Sequence, residues 1–280
     1  MTSASRSPTI YVSADMEGCA TLVHWDEVRP AASSAYERAR AVMTDEVNAV
    51  LAGAFAAGAA RAIVNDSHST MRNLLIERLD PRATVVSGRI KPNFMLEGLT
   101  RECAVAFFVG YHGAIGDVGA VMGHTYSPRI IYECRLNGTP VGELPINAAF
   151  AGHHGVAVGL VSGDATTLHE ARRVLPWALT VETKRSLSYF AADCRSPRDV
   201  CDELRSAAEQ AVRSLGKFQP LHLESPILME IDTLTSAQAD AISLVPGMER
   251  PAARTLTYRA ADAVAMYRAL MNVIYVGANA

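Results

Sequence analysis

Apolar positions in the first half of the chain fall into short β-branched runs separated by one long helical stripe. TIYVSAD has the length and composition of a buried strand, and the Ser-rich stretch of residues 1–8 before it is expected to be disordered. In SSAYERARAVMTDEVNAVLAGAFAAG, Met43, Val47, Val50, Leu51 and Ala54 recur at i, i+4, i+7, i+8 and i+11, which predicts an amphipathic helix ending near Gly58. RAIVND is the next strand, and so long a crossover implies that the two strands pair in parallel. STMRNLLIERLD predicts a second helix, ATVVSG a short strand, and CAVAFFVGYH a continuously apolar strand of the kind covered on both faces.

The pattern then changes period. In IIYECRLNGTPVGE, Ile131, Glu133 and Arg135 alternate with Tyr132, Cys134 and Leu136 before Asn137-Gly138, a strong hairpin signal. LPINAAFAGHHG returns to helical spacing, AVGLVSGD is another apolar strand, and TTLHEARRVLP is a helix stopped near Pro176. Beyond about residue 165 the chain is more polar: SPRDVCDELRSAAEQAVRSLG predicts a helix, ILMEIDT and RTLTYRA strands, and ADAVAMYRALMNVIYV a closing helix. The expected fold is α/β, a mainly parallel sheet flanked by helices over residues 9–165, with a smaller C-terminal α+β lobe over 166–280 serving packing and oligomerisation. No internal repeat or flexible linker separates them.

Composition narrows the functional classes. The 280 residues are 49% hydrophobic, with 26 basic against 29 acidic side chains and a net charge of -3, so a sizeable core is available. Such a balance provides no basic footprint for nucleic acid, and a small substrate fits better. The N-terminus lacks a signal-peptide core and the apolar runs are too short to span a bilayer, from which a cytoplasmic protein without membrane contact is expected. Five cysteines, at 19, 103, 134, 194 and 201, fit neither a disulfide framework nor a CxxC zinc site.

The candidate chemistry lies where the strands end, because open α/β sheets bind ligands beyond the carboxyl ends of their strands. The first strand runs into Asp15 and Glu17, the second into Asp66 and His68, and the long apolar strand into His112. His124 follows twelve residues later in GAVMGHTYS, and Glu143 sits where the hairpin gives way to a helix. Carboxylates and imidazoles without cysteine form an N/O donor set suited to zinc, manganese or ferrous iron. Three acids at one sheet edge would repel one another unless divalent cations neutralised them, and the donors exceed what one catalytic zinc uses. Two metals sharing a bridging carboxylate are therefore expected, a pair able to activate a water and stabilise attacking and leaving atoms.

Taken singly, each residue has a blander role. One acid behind a strand is more often a helix cap; Asp66 keeps that role, or holds His68 through its second ring nitrogen. His112 alone could be a core histidine, His153-His154 suits a helix C-terminus, and His24, His169 and His222 have no acids clustered with them. The chain has no G-x-S-x-G elbow, P-loop or G-x-G-x-x-G after the first strand, and nothing marks Cys19 as an activated nucleophile.

The ordered blocks SADMEG, VNDSHS, KPNFMLEGL, FFVGYHG, VMGHTYS, LNGTPVGELPINAAFAGHHG and LVSGD resemble the bacterial dizinc D-aminopeptidases associated with dipeptide transport, from about residue 9 to 165, with a weaker likeness beyond in elements such as SLVPGME. The resemblance implies two zinc ions per subunit held by Asp15, Glu17, His68, His112 and Glu143, with Asp15 bridging, and His124 as the catalytic histidine. It further implies removal of an N-terminal, preferentially D, residue from short peptides, and a ring-shaped homo-oligomer, a decamer, whose sites face an enclosed channel. Two departures lie near these residues: Cys19 stands where the family has an aliphatic side chain, and GAIGDVGAVMG is one residue longer. The same donor set would also serve an amidase or deacylase acting on a non-peptide amide, or a metal-containing peptide-binding protein without turnover.

Overall fold

Strand β1 (Thr9–Ala14) is buried on both faces: Ile10, Val12 and Ala14 enter one apolar layer and Tyr11 the other, as the two-residue period of a strand requires. The computed structural model describes residues 7–30 and 33–280, so the first six residues of the expected tail lie outside the described residues. After β1 come a one-turn helix α1 (Trp25–Val28) and the long α2 (Ser34–Ala56), whose Ser33 cap accepts a hydrogen bond from the Tyr36 amide. Next are β2 (Arg61–Asp66), β3 (Ala83–Val86) and β4 (Cys103–Tyr111), then the hairpin β5 (Ile131–Leu136) and β6 (Thr139–Pro140). Asn137 and Gly138 turn this hairpin with φ of 49° and 77°, the left-handed pair that a two-residue turn demands. Helix α3 (Glu143–His153), β7 (Val158–Asp164), α4 (Ala165–Val174), β8 (Leu179–Ser188), β9 (Ala191–Cys194) and α5 (Pro197–Arg213) follow. The chain closes with β10 (Ile227–Thr233), α6 (Ser236–Ile242), β11 (Thr255–Ala260) and α7 (Ala263–Gly277).

Seven strands form the large sheet in the order β3-β2-β1-β4-β7-β8-β9, parallel except for the terminal β8–β9 pair; the second sheet, β11-β10-β5-β6, is antiparallel. The division expected at residue 165 lies between β7 and α4, with the large sheet continuing beyond it through β8 and β9. Helices α2 and α5 cover one face, and α3, α7 and the small sheet build the core on the other. Connections from β1 run outward through β2 to β3, whereas β4 leads the other way to β7 and β8. The sheet therefore reverses its winding between β1 and β4, and the cleft beyond their carboxyl ends is the place such folds reserve for ligands. No described helix is long and apolar enough to cross a membrane.

The helix expected over STMRNLLIERLD does not form; that stretch holds only a 3-10 turn at Ile76–Arg78. Ser69 and Met71 adopt left-handed φ of 48° and 57°, which no helix accommodates. Asp66 accepts from the amides of Asn73 at 2.5 Å and Leu74 at 2.8 Å and from the Asn73 side chain at 2.7 Å, so the acid caps a loop. The strands β8 and β9 and the short α1 and α6 escape the hydrophobic pattern, because β8 reads LTVETKRSLS and carries its charges inside a strand.

The loop after β1 crosses the end of β4 at van der Waals limits. The Gly18 amide donates to the Gly110 carbonyl at 2.8 Å, and a Cβ on Gly18 would lie 1.7 Å from the Tyr111 oxygen. Gly110 sits at φ +73°, with its own Cβ position 2.3 Å from the Asp15 carbonyl. Gly18→Ala must push these two strand ends apart, and overpacking of this kind costs about 1–3 kcal/mol. Thermal denaturation should show a clear fall in midpoint; an unchanged midpoint would contradict the close approach.

Candidate metal centre

Three neighbouring strands and one helix each deliver a side chain to this cleft. Asp15 and Glu17 follow β1, His68 lies two residues past β2, His112 follows β4 directly, and Glu143 is the first residue of α3. His124 comes from the loop joining β4 to β5. All six are buried, with 3–7% exposure. His68 Nδ1 is 2.8 Å from Glu17 Oε2 and 3.3 Å from Asp15 Oδ1. His112 Nε2 lies 3.5 Å from Asp15 Oδ2 and 3.4 Å from Glu143 Oε1, and His124 Nε2 lies 3.7 Å from the same Glu143 oxygen and 4.0 Å from Glu17 Oε1. The rings of His112 and His124 stack at 4.0 Å and 9°.

Each imidazole uses its other nitrogen on a backbone carbonyl: His68 Nε2 on Val28 at 2.6 Å, His112 Nδ1 on Gly113 at 3.0 Å, and His124 Nδ1 on Met122 at 2.9 Å. A carbonyl only accepts, so it fixes a proton on that nitrogen and turns the other nitrogen towards the carboxylates. Backbone amides orient the acids too, Met16 donating to Asp15 Oδ1 at 2.9 Å and Tyr126 to Glu143 Oε1 at 2.7 Å. Beneath them Ser13 meets the hydroxyls of Ser67 and Tyr111 at 2.8 Å each, and Asn147 joins Tyr111 to Tyr126 at 3.0 and 2.7 Å. Buried polar groups satisfied in this way hold the floor of the cleft rigid.

Crowded like charges dominate the electrostatics. Burial and then the Glu17 charge raise the Asp15 carboxyl above the usual range. Burial also acts upward on Glu17 and Glu143, but the charges of His68 on the one and His112 on the other outweigh it and hold both low. Burial lowers His68 and His112, yet the facing carboxylates, Glu17 and Glu143 foremost, win and raise both, His112 to about 10. His124 is lowered, by burial and then by His112. Protons on His68 and His112 thus do what divalent cations would do, neutralising carboxylates that cannot sit together unaided.

The donor set fits a pair of metals. Ligand atoms of Asp15, Glu17 and His112 lie within 4.8 Å of one another, as do those of His112, His124 and Glu143. All are nitrogen or oxygen, as zinc accepts. Among the described residues Glu17 Oε2 is buried with no partner beyond the approach of His68 Nδ1 at 2.8 Å, and a buried carboxylate oxygen so sparsely met is costly unless a cation joins it. By distance His124 could also ligate, but its position differs from that of His112. A cavity of about 460 Å³ opens above the cluster, lined by Asp15, Glu17, His68, His124 and Glu143, whereas His112 lies behind it.

Other candidates stay apart. Cys19 is buried with its thiol on the Asp15 carbonyl at 3.4 Å, and burial pushes it up and away from thiolate chemistry. Asp66 makes no bond to the His68 ring, whose nitrogens meet Glu17, Asp15 and Val28. His153 and His154 end α3, with His154 against Phe150. Two important groups left no signal in the sequence. Trp25 packs its edge on His124 at 5.4 Å, and Lys184, buried in β8, donates to the carbonyls of Glu17, Cys19 and Leu22 at 2.5, 2.7 and 2.6 Å. Thr183 adds a bond to the Gly18 carbonyl at 2.6 Å, so β8 clamps the loop that carries Glu17.

The family model for D-aminopeptidase, peptidase family M55, matches residues 9–272. The chain is 36% identical over 265 residues to a D-aminopeptidase of Bacillus subtilis (strain 168), covering 94% of this chain and 95% of that protein. Its fold superposes with a TM-score of 0.92, at 33% identity, on the Zn-dependent D-aminopeptidase DppA from Bacillus subtilis, a self-compartmentalizing protease, covering 97% of this chain and 98% of that one.

The lysine clamp gives a direct test of the site. Lys184→Met removes three hydrogen bonds to the Glu17 loop while filling similar space. Zinc affinity should drop by about 10- to 100-fold, the usual effect of losing an outer support of a metal site. Competition with a chromophoric chelator measures it, and wild-type affinity in a folded variant would contradict the clamp.

Proposed function

Because the chain belongs to the D-aminopeptidase family, we propose that it removes the N-terminal residue, preferentially of D configuration, from short peptides at the metal centre described above. Asp15, Glu17, His68, His112 and Glu143 would hold two zinc ions, with Asp15 between them and His124 as the catalytic residue. The observation that carries this reading is the floor of one cavity, where three buried carboxylates and carbonyl-anchored imidazoles converge within metal-binding distance of one another. Bound zinc supplies Lewis acidity and lowers the pKa of water at neutral pH.

The remaining chemistry belongs to the chain. A free N-terminal amine would bind beside the metals and their acidic shell, which favours substrates with a free N-terminus over blocked ones. His124, its Nδ1 tied to Met122 and its Nε2 beside the open cavity, is placed to take a proton on the attacking side and return it to the leaving amine. Trp25, packed against His124 in a T-shaped arrangement, limits the ring's movement and excludes water from one side.

We further read the protein as a cytoplasmic homo-oligomer, a ring of ten subunits. The five cysteines are free, as a reducing compartment expects. Val118, Leu244, Ile90 and Leu187 stand 99, 83, 75 and 75% exposed, apolar surface that subunit contacts would cover.

Two variants separate the roles. His124→Asn should keep its zinc while kcat on a D-Ala peptide falls by at least about 100-fold, the lower end for loss of a proton carrier. Asp15→Asn should lose zinc and activity together. Elemental analysis beside a peptide assay reads both, and near-wild-type turnover by His124→Asn would remove that residue from the chemistry.

A further inference from the structure

Charge in the cavity is segregated by depth. Asp15, Glu17 and Glu143 sit on the buried floor, whereas Arg29, Arg89 and Arg129 line the same cavity with exposed side chains. Among the described residues none of these three arginines pairs with a carboxylate, unlike Arg40, Arg78, Arg82 and Arg135 elsewhere on the chain. Two of them are held in place by rings. The Arg29 guanidinium lies 5.3 Å from the Trp25 ring centre, and that of Arg89 lies 5.8 Å from the Tyr275 ring centre, with Nη1 3.5 Å from the Ser69 carbonyl. Contact with a ring restrains a guanidinium while N–H groups remain to bind a carboxylate, among the described residues all of those on Arg29 and those on Arg89 not spent on Ser69.

We propose that these arginines recognise the free α-carboxylate of the substrate, so that the site selects short zwitterionic peptides over their C-terminal amides and over amides that carry no acid. The proposal rests on the aminopeptidase reading and deepens it. A short peptide fits both ends of this cavity: its free amine and scissile amide face the metal floor, and its carboxylate meets the cationic rim. The arginines also oppose a misorientation, since a peptide carboxylate would otherwise be drawn to the cations on the floor and turn the wrong end towards the scissile position. A cavity of about 460 Å³ is within the range of small-ligand sites, which suits a peptide of few residues.

The test pairs D-Ala-D-Ala with its C-terminal amide on zinc-loaded protein. Binding is read by calorimetry in the His124→Asn background and kcat/KM in the wild type, with Arg29→Gln, Arg89→Gln, Arg129→Gln and the triple variant compared. All three side chains are exposed, so unchanged melting temperatures are expected to confirm folding. The free peptide should be preferred by roughly tenfold or more, the scale of one charge-assisted hydrogen bond, and the triple variant should erase that preference in binding. Equal binding of acid and amide by the unsubstituted rim, or a preference that survives the triple variant, overturns the proposal. If neither peptide is turned over, the aminopeptidase reading fails, while the calorimetric ratio still decides the role of the rim.

Discussion

Mutual repulsion among Asp15, Glu17 and Glu143 is the constraint around which the fold is arranged. Three carboxylates, each 3–4% exposed, share one sheet edge, and such a cluster persists only where positive charge is built in or bound. The structure supplies part of that charge through His68 and His112, which the facing carboxylates raise, and each of the three imidazoles has one ring nitrogen tied to a carbonyl so that the other faces the acids. What these two charged imidazoles leave of the three buried acids is a demand for a cation.

The backbone is shaped to serve that demand. The winding reversal between β1 and β4 leaves a cleft, and the glycines at 18 and 110 let the loop after β1 cross the end of β4 within contact distance. Lys184 then reaches from β8 into the same loop, its ammonium group satisfied wholly by carbonyls. Rigid strands on one side and a fully hydrogen-bonded loop on the other hold the acids at separations that free side chains would not keep.

Much of this was legible in the sequence, because the parallel strands are continuous apolar runs and their ends are where chemistry collects. Placing Asp15, Glu17, His68 and His112 together needed only β1, β2 and β4 side by side, and Glu143 lay at a visible change from hairpin to helix. The helix expected at 69–80 failed because Asp66 spends its oxygens on Asn73 and Leu74 and two residues turn left-handed, a choice made by tertiary hydrogen bonds rather than by periodicity. Lys184 was invisible for a related reason: a lysine in a polar strand reads as surface, and only the fold shows three carbonyls waiting for it. The arginines of the rim likewise come from three separate loops, and no spacing along the chain joins them. Distances do not separate His124 from a ligand, and Asp15, Glu17, His68 and Glu143 line the cavity beside it, so its proposed catalytic role rests on the family likeness.

The central claim is that this edge holds a pair of zinc ions with nitrogen and oxygen donors only. X-ray absorption at the zinc edge of the zinc-saturated protein tests it most directly. The account predicts donors at about 2.0–2.2 Å and a zinc–zinc vector near 3.5–4 Å. A sulfur shell at about 2.3 Å, or a lone ion with no metal neighbour, would contradict it.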